Sequence, residues 1–394
     1  MKFTKVLFVS WDGPEVTYLE NLFAPIFYKL KERYGYEFHI IQFTSTNKKK
    51  IKQRKEDLES RGIRYLGIPT SPKSALLGML NAKFLDIYRV KKYAEKHGIE
   101  VIMPRAVNAY FIVKALFQNQ KYLLVWDADG FPLEERIDFA GLSKNSWRYQ
   151  FFKRIEYQAY HQAASIICRT QKAKEIIVQN GGKGFDRGKV FVVNNGTFIS
   201  GENATLIVKP KQLTLVYAGS LGPQYMFPEM METFQIIKTT FPDAMFKILT
   251  FQIGQARDYI QQNYPQIFSS VEIKSVHAAQ VKEELAKAHI GISFRKPSFS
   301  MQGVAPIKVV EYISAGLPLI YNPGIGDLDE LLGTQEFAFS LDPMKAVDPE
   351  SLVDWIKRIV NQDRRDQVIQ FAQEHFSLER SAVLYHQALQ YGEG

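Results

Sequence analysis

The chain has 394 residues, 46% of them apolar, more than a single hydrophobic core usually serves, so two domains of ordinary size are expected. A net charge of +9 suggests anionic partners, either phosphate groups or an acidic membrane surface, and nucleic acid is not among the expected ones. The single cysteine, Cys168 in "ASIICRT", excludes an internal disulfide and reads as a buried strand residue.

The first residues, "MKFTKVLFVSWDG", reach an acidic residue early and lack a signal-peptide pattern, and no run of about twenty apolar residues follows. A cytoplasmic protein is expected, with peripheral contact at the inner face of the membrane as an added expectation. After the strand "KVLFVS" come a helix through Leu19 to Arg33, the strand "EFHIIQF", and "NKKKIKQRK", in which six of nine residues are basic. This run, with "KSALLGMLNAKFLDIYRVKKYAEKHG" beyond it, has two readings. It can lie on an anionic membrane, or it can be the solvated face of a short helix followed by a long helix packed on a sheet. The second is favoured, because both segments sit between predicted strands.

Further along, "IRYLGI", "VIMP", "FIVKALF", "YLLVWD", "SIICRT" and "VFVVNNG" continue an alternation of apolar runs and helical patterns, the signature of βαβ units around a parallel sheet. Residues 1–198 therefore form a first Rossmann-like domain, and the less periodic 199–212 a linker. The alternation restarts with "LTLVYAG", a helix from Met226 to Thr240, "AMFKILT", "VEIKSV", "VKEELAKAH", "IGISF", "LPLIY" and "FAFSL". A second α/β domain covers 213–376, and 377–394 form a terminal helix that could pack back on the first domain. In such folds ligands lie at the carboxyl ends of strands, and between two such domains in a cleft.

Four strand ends stand out: Asp12 and Gly13 in "WDGP", Asp127 and Asp129 in "LLVWDADGFPLEER", the turn "VVNNGT", and Gly219 with Ser220 in "VYAGSLG". Glycine there lets backbone approach a ligand, although a plain turn is the simpler reading of each alone. No GxGxxG, Walker loop, paired CxxC or HxxxH occurs, so neither a nicotinamide cofactor nor a metal is expected. In "GVAPIKVVEYISAGLPLI", Lys308 and Glu311 share one helix face, preceded by the loop Gly303, Val304, Ala305, Pro306 and Ile307. Backbone N–H groups at that helix N-terminus suit an anion, the carboxylate suits vicinal hydroxyls, and the ammonium suits phosphate. An ion pair on a solvated face is the plainer alternative, but it leaves the apolar surroundings unexplained.

Together these segments resemble the GT-B glycosyltransferases, with two Rossmann-like domains facing across a cleft, and within them the retaining family 4 that uses nucleotide sugars. The resemblance spans the whole chain. "VVNNGT" is similar to that family's turn before the linker, and "PIKVVEYISAGLP" to its "P-x-K-x-x-E-Y-x-x-x-G-x-P" pattern in enzymes that build bacterial surface polysaccharides. The resemblance implies that Glu311 receives the donor ribose hydroxyls and that no metal or other cofactor is needed. It implies a nucleotide-sugar donor and a glycan or lipid-linked acceptor held by the first domain. Two departures stand beside it: Gly303 occupies the place of a second glutamate, and "AGSLGPQYMFPEMME" lacks the usual Arg and Lys for the leaving diphosphate. Arg295 and Lys296 in "GISFRKPS", or Lys308, are the candidate substitutes. "DADGFPLEE" is similar to a "D-x-R-G-x-x-x-E-E" segment with Asp129 in place of the arginine, and Asp127 falls where other members place a histidine near the reacting sugar. Asp127 is thus a catalytic candidate, with an Asx-turn cap or a bridge to Arg136 as the alternative, and Glu134 and Glu135 begin an acceptor loop or pair with neighbouring cations. The competing functions are a non-catalytic nucleotide-sugar or glycan-binding subunit and a nucleotide-sugar epimerase or hydrolase.

Overall fold

In the computed structural model, which describes residues 3–13, 17–70, 85–118, 121–199 and 209–391, the apolar runs become the strands of two parallel sheets. The first comprises β1 (Lys5–Asp12), β2 (Glu37–Thr44), β3 (Arg64–Pro69), β4 (Val101–Pro104), β5 (Leu123–Asp129), β6 (Ser165–Cys168) and β7 (Val190–Val192), in the order β3-β2-β1-β4-β5-β6-β7. The second comprises β8 (Thr214–Ala218), β9 (Met245–Leu249), β10 (Val271–Lys274), β11 (Ile290–Ser293), β12 (Leu319–Tyr321) and β13 (Ala338–Ser340), in the order β10-β9-β8-β11-β12-β13. Helices cover both faces of such sheets, which is why β4, β6 and β11 are buried along their whole length and read as unbroken apolar runs. Each order reverses beside its first strand, so the carboxyl ends of β1 and β4, and of β8 and β11, frame the places where such a fold binds ligands.

The chain divides into two compact units, one of residues 1–196 with 302–304 and 378–394, the other of 197–301 with 305–377. The terminal helix Leu378–Tyr391 belongs to the first unit, where His386 stacks on Tyr34 at 3.7 Å between ring centroids and meets the Tyr36 hydroxyl at 3.1 Å. Residues 200–208 of the expected linker and 73–84 of the second basic stretch lie outside the described residues. "FIVKALF", left open between strand and helix, is helical. It closes the helix Ala106–Val113 and forms a short 3-10 turn, Lys114–Phe117, its apolar side chains meeting β1, β4, β5 and a neighbouring helix. "NKKKIKQRK" forms the start of the helix Lys48–Ser60, capped by the Asn47 side chain. Most of its lysines are exposed, while Arg54 turns inward to pair with Glu20 and to donate to Gln42 at 2.7 Å.

Glu134 is buried and is used in packing: it accepts from Lys153 at 2.7 Å and from the Tyr149 hydroxyl at 3.1 Å. The same Lys153 pairs with buried Glu156. Burial, only partly opposed by Lys153, pushes the Glu156 carboxyl from 4.5 up to about 7. A carboxyl raised in the folded state favours folding when protonated, so its contribution is complete below the unfolded value and is lost as pH rises through the folded one. Glu156→Gln should therefore flatten the fall in stability between those pH values, gaining up to about 3 kcal/mol over the parent above pH 7 and little at pH 4. Urea denaturation across this range checks it; parallel curves for parent and variant would show that Glu156 does not titrate there.

Candidate functional site

In the second unit, the helix Ile307–Ser314 follows the extended residue Pro306 and is fixed by buried Tyr312. The Tyr312 hydroxyl accepts the Ala218 N–H at 2.9 Å at the end of β8 and donates to the Ile292 carbonyl of β11 at 3.3 Å. Gly291 makes room for that ring, since a Cβ there would stand 2.6 Å from it. A left-handed glycine, Gly316 at φ 72°, then stops the helix and lets the Leu317 N–H reach the Tyr312 carbonyl at 3.0 Å.

With the helix held there, Lys308 packs onto two tyrosines. Its Nζ lies 3.3 Å from the centroid of the Tyr225 ring and donates to the Tyr217 hydroxyl at 3.3 Å. Arg295 shares the same ring, its Cζ 4.8 Å from the centroid and its Nη2 donating to the Tyr225 hydroxyl at 3.3 Å. The two cations therefore stand within about 8 Å of each other, and among the described residues neither forms an ion pair with a carboxylate. Burial, and then the Arg295 guanidinium, push Lys308 well below the ordinary ammonium value, with Glu311 opposing. Glu311 is half-buried, its carboxylate makes no hydrogen bond or ion pair among the described residues, and burial raises its pKa against the pull of Lys308.

Gly219 belongs to this arrangement: at φ 152° its backbone passes so close to the lysine that a Cβ would lie 1.9 Å from Lys308 Cε. Ser220 is exposed, and its carbonyl accepts the Tyr217 hydroxyl at 2.5 Å. Lys296 does not join the pair: it is exposed and lines a cavity of about 450 Å³ together with Leu221, Tyr225, Phe227, Gln255 and Met344. Of the loop expected to act as one element, Gly303 and Val304 group with the first unit and Ala305, Pro306 and Ile307 with the second.

In the first unit, charged side chains converge from the ends of β1, β4, β5 and β6. Asp12 accepts from Ser10 at 2.7 Å and Gln42 at 2.8 Å, and stands 3.4 Å from Arg105. Arg105 also donates to Asp129 at 2.6 Å. The register of β5 against β6 shifts between Asp127 and Asp129, and both carboxylates meet Arg169. Asp129 adopts φ 62° and its side chain is 33% exposed. Against burial, Arg105 and then Arg169 hold it below the usual carboxylate value. Gly13 follows Asp12 and is exposed.

Asp127 corrects the expectation placed on it. It is completely buried, accepts from Arg169 Nη2 at 2.7 and 2.5 Å, receives the Tyr385 hydroxyl at 3.3 Å and caps the Asp129 N–H at 3.1 Å. Its partner is Arg169 and not Arg136, and a carboxylate so enclosed has no oxygen open to a substrate. Burial raises its pKa, against the pull of Arg169. Arg105 and Arg169 escaped the sequence reading although "VIMPRA" and "SIICRT" place each arginine just past a strand, the same signal that singled out Asp12. Tyr385 carries no local signal, being 258 residues from its partner. Among the described residues no group of three His, Cys, Asp or Glu side chains is arranged to hold a metal, and no helix is long and apolar enough to cross a membrane.

Asp127→Asn removes the nearer counter-charge of buried Arg169, leaving Asp129 at 3.6 Å, and should cost about 3 kcal/mol of stability, read as a lower denaturant midpoint, with ligand binding to the second unit unchanged. A variant as stable as the parent would show that Asp127 does not hold Arg169 in place.

No protein-family model matches the chain, and no curated protein sequence does. Solved structures do. HepE of Anabaena in complex with UDP and glucose superposes with a TM-score of 0.67 at 14% identity, covering 98% of this chain and 99% of that one. The lipopolysaccharide outer core galactosyltransferase WaaB, in its apo form, gives 0.67 at 12% identity over 98% and 99%. A UDP-GlcNAc 2-epimerase from Neisseria meningitidis bound to UDP-GlcNAc gives 0.62 at 12% identity over 98% and 100%. The chain has the GT-B fold over its full length.

Proposed function

We propose that the protein is a glycosyltransferase that moves a sugar, with retention, from a nucleoside diphosphate sugar to a glycan or lipid-linked acceptor in polysaccharide or glycoconjugate assembly. The observation that carries this reading is the pair Lys308 and Arg295, held on one tyrosine ring with no carboxylate partner. At an effective dielectric near 20, two unit charges no more than about 8 Å apart repel by roughly 2 kcal/mol or more while both are charged. Cation–π attraction offsets about 0.5–2 kcal/mol per contact. A diphosphate between them would turn that repulsion into attraction. Departure of the nucleoside diphosphate develops charge on its terminal phosphate, and preorganised cations stabilise it without reorganising. Lys308 and Arg295 are therefore proposed to do what the absent Arg and Lys do in the family this chain resembles. Glu311, one helical turn on, is proposed to accept the ribose hydroxyls, and the backbone N–H of Ile307 at the helix start to meet a donor oxygen.

On this reading the first unit takes the acceptor through Asp12 and Asp129, while Asp127 positions them by holding Arg169. The GT-B neighbours in complex with UDP or a UDP-sugar support a uridine donor as the first to test. The epimerase among them supports a second reading, conversion of a nucleotide sugar without an acceptor. Supplying UDP-sugars with and without lipid-linked or oligosaccharide acceptors separates the two: a product that grows only with acceptor supports transfer, and an isomerised donor formed without it supports epimerisation.

The chemistry of Lys308 generates a signed prediction. Its pKa is depressed in the free protein and an adjacent anion restores it, so nucleoside diphosphate binding should take up a proton at any pH between the depressed value and the ordinary 10.5. Calorimetry in buffers of different ionisation enthalpy should show that uptake in the parent and lose it in Lys308→Met. Binding without proton uptake in the parent would place the phosphates away from Lys308. Gly219→Ala should displace Lys308 and weaken diphosphate affinity about as much as Lys308→Ala does; unchanged affinity would separate the glycine from the site.

A further inference from the structure

The first unit contains a small cavity of about 150 Å³ lined by Trp11, Asp12, Arg105, Asp129 and Arg136 among others. Sites for drug-sized ligands run to about 300–1,000 Å³, so this one suits a single small unit such as one sugar ring. Its lining holds the carboxylates Asp12 and Asp129 and the guanidiniums Arg105 and Arg136. Asp12, Asp127 and Asp129 share only two guanidiniums, those of Arg105 and Arg169, which leaves acceptor capacity for hydroxyl hydrogens on half-open Asp129. Its edge is different. Arg136, on the helix Pro132–Ala140, is exposed there, and its guanidinium makes no hydrogen bond or ion pair among the described residues. A guanidinium without a carboxylate partner at the edge of a cavity is a place for an anion.

The backbone marks the same spot. Among the described residues only two non-glycine positions have positive φ, Ala106 at 57° and Asp129 at 62°, and both line this cavity. Left-handed backbone at such residues is strained and gathers where a fold holds side chains for a ligand. Here it aims the Asp129 carboxylate, and it bends the chain just after Arg105.

We propose that this cavity binds an acceptor sugar unit that carries an anionic group, a carboxylate or a phosphate, with Arg136 as its counter-ion and Asp129 receiving a ring hydroxyl. The proposal rests on the reading that the first unit takes the acceptor. Calorimetry on the full chain should compare glucose and galactose with their uronates and their 6-phosphates. At least one anionic form should bind about tenfold or more tighter than its neutral parent sugar, a difference of about 1.4 kcal/mol. Arg136→Gln should abolish that preference and Arg136→Lys should keep most of it. Tighter binding of the 6-phosphates alone assigns phosphate, and tighter binding of the uronates, alone or as well, assigns a carboxylate. Equal binding of charged and neutral sugars, no binding of any of them, or a preference that survives Arg136→Gln would overturn the proposal. Nucleoside diphosphate affinity measured on the same preparations keeps the two readings apart: its presence without an anion preference sinks this inference alone, while its absence sinks the transferase reading.

Discussion

Lys308 and Arg295 are like charges held within about 8 Å of each other on the ring of Tyr225, and the second unit is arranged around keeping them there. Tyr312 ties the helix that carries Lys308 to β8 and β11, so the lysine cannot drift toward solvent. Gly219 yields the space its side chain occupies. Asn322 fixes Arg295 by accepting its backbone N–H at 2.8 Å and donating to its carbonyl at 2.8 Å. Such an arrangement is unfavourable by itself, and an anion of high charge density relieves it. Glu311 beside it completes a set that suits a phosphorylated molecule with free hydroxyls.

The first unit solves a different electrostatic problem at the matching ends of its strands. Its cations and carboxylates are interleaved, Arg105 between Asp12 and Asp129, and Arg169 against Asp127, so most charge is neutralised internally. Isolated buried charges cost several kcal/mol each, whereas paired and hydrogen-bonded ones hold a definite geometry. That rigidity explains how two residues stay in left-handed backbone beside one cavity. It also explains why the outer members, Asp129 and Arg136, retain the most capacity for a ligand.

Strands were legible in the sequence because parallel sheets covered on both faces leave unbroken apolar runs, and "VIMP", "SIICRT" and "IGISF" are such runs. "FIVKALF" was ambiguous for the same reason: a helix enclosed on most sides is as uniformly apolar as a buried strand. At the site, Lys308 and Glu311 could be read because their spacing is local. Tyr217 and Tyr225 could not, since the lysine meets them through contacts 91 and 83 positions apart that no local pattern encodes. Asp127 was misjudged because a carboxylate at a strand end can face out or in, and the arginine that holds it inward, Arg169, comes from the end of β6.

The claim on which the account turns is that Lys308 and Arg295 hold the terminal phosphate of a nucleoside diphosphate. A crystal structure of the protein with UDP tests it most directly. The account predicts a terminal phosphate oxygen within hydrogen-bonding distance of Lys308 Nζ and of an Arg295 guanidinium nitrogen, with the ribose hydroxyls on Glu311. Phosphates that touch neither cation, or a nucleotide seated instead in the cavity beside Lys296, would contradict it.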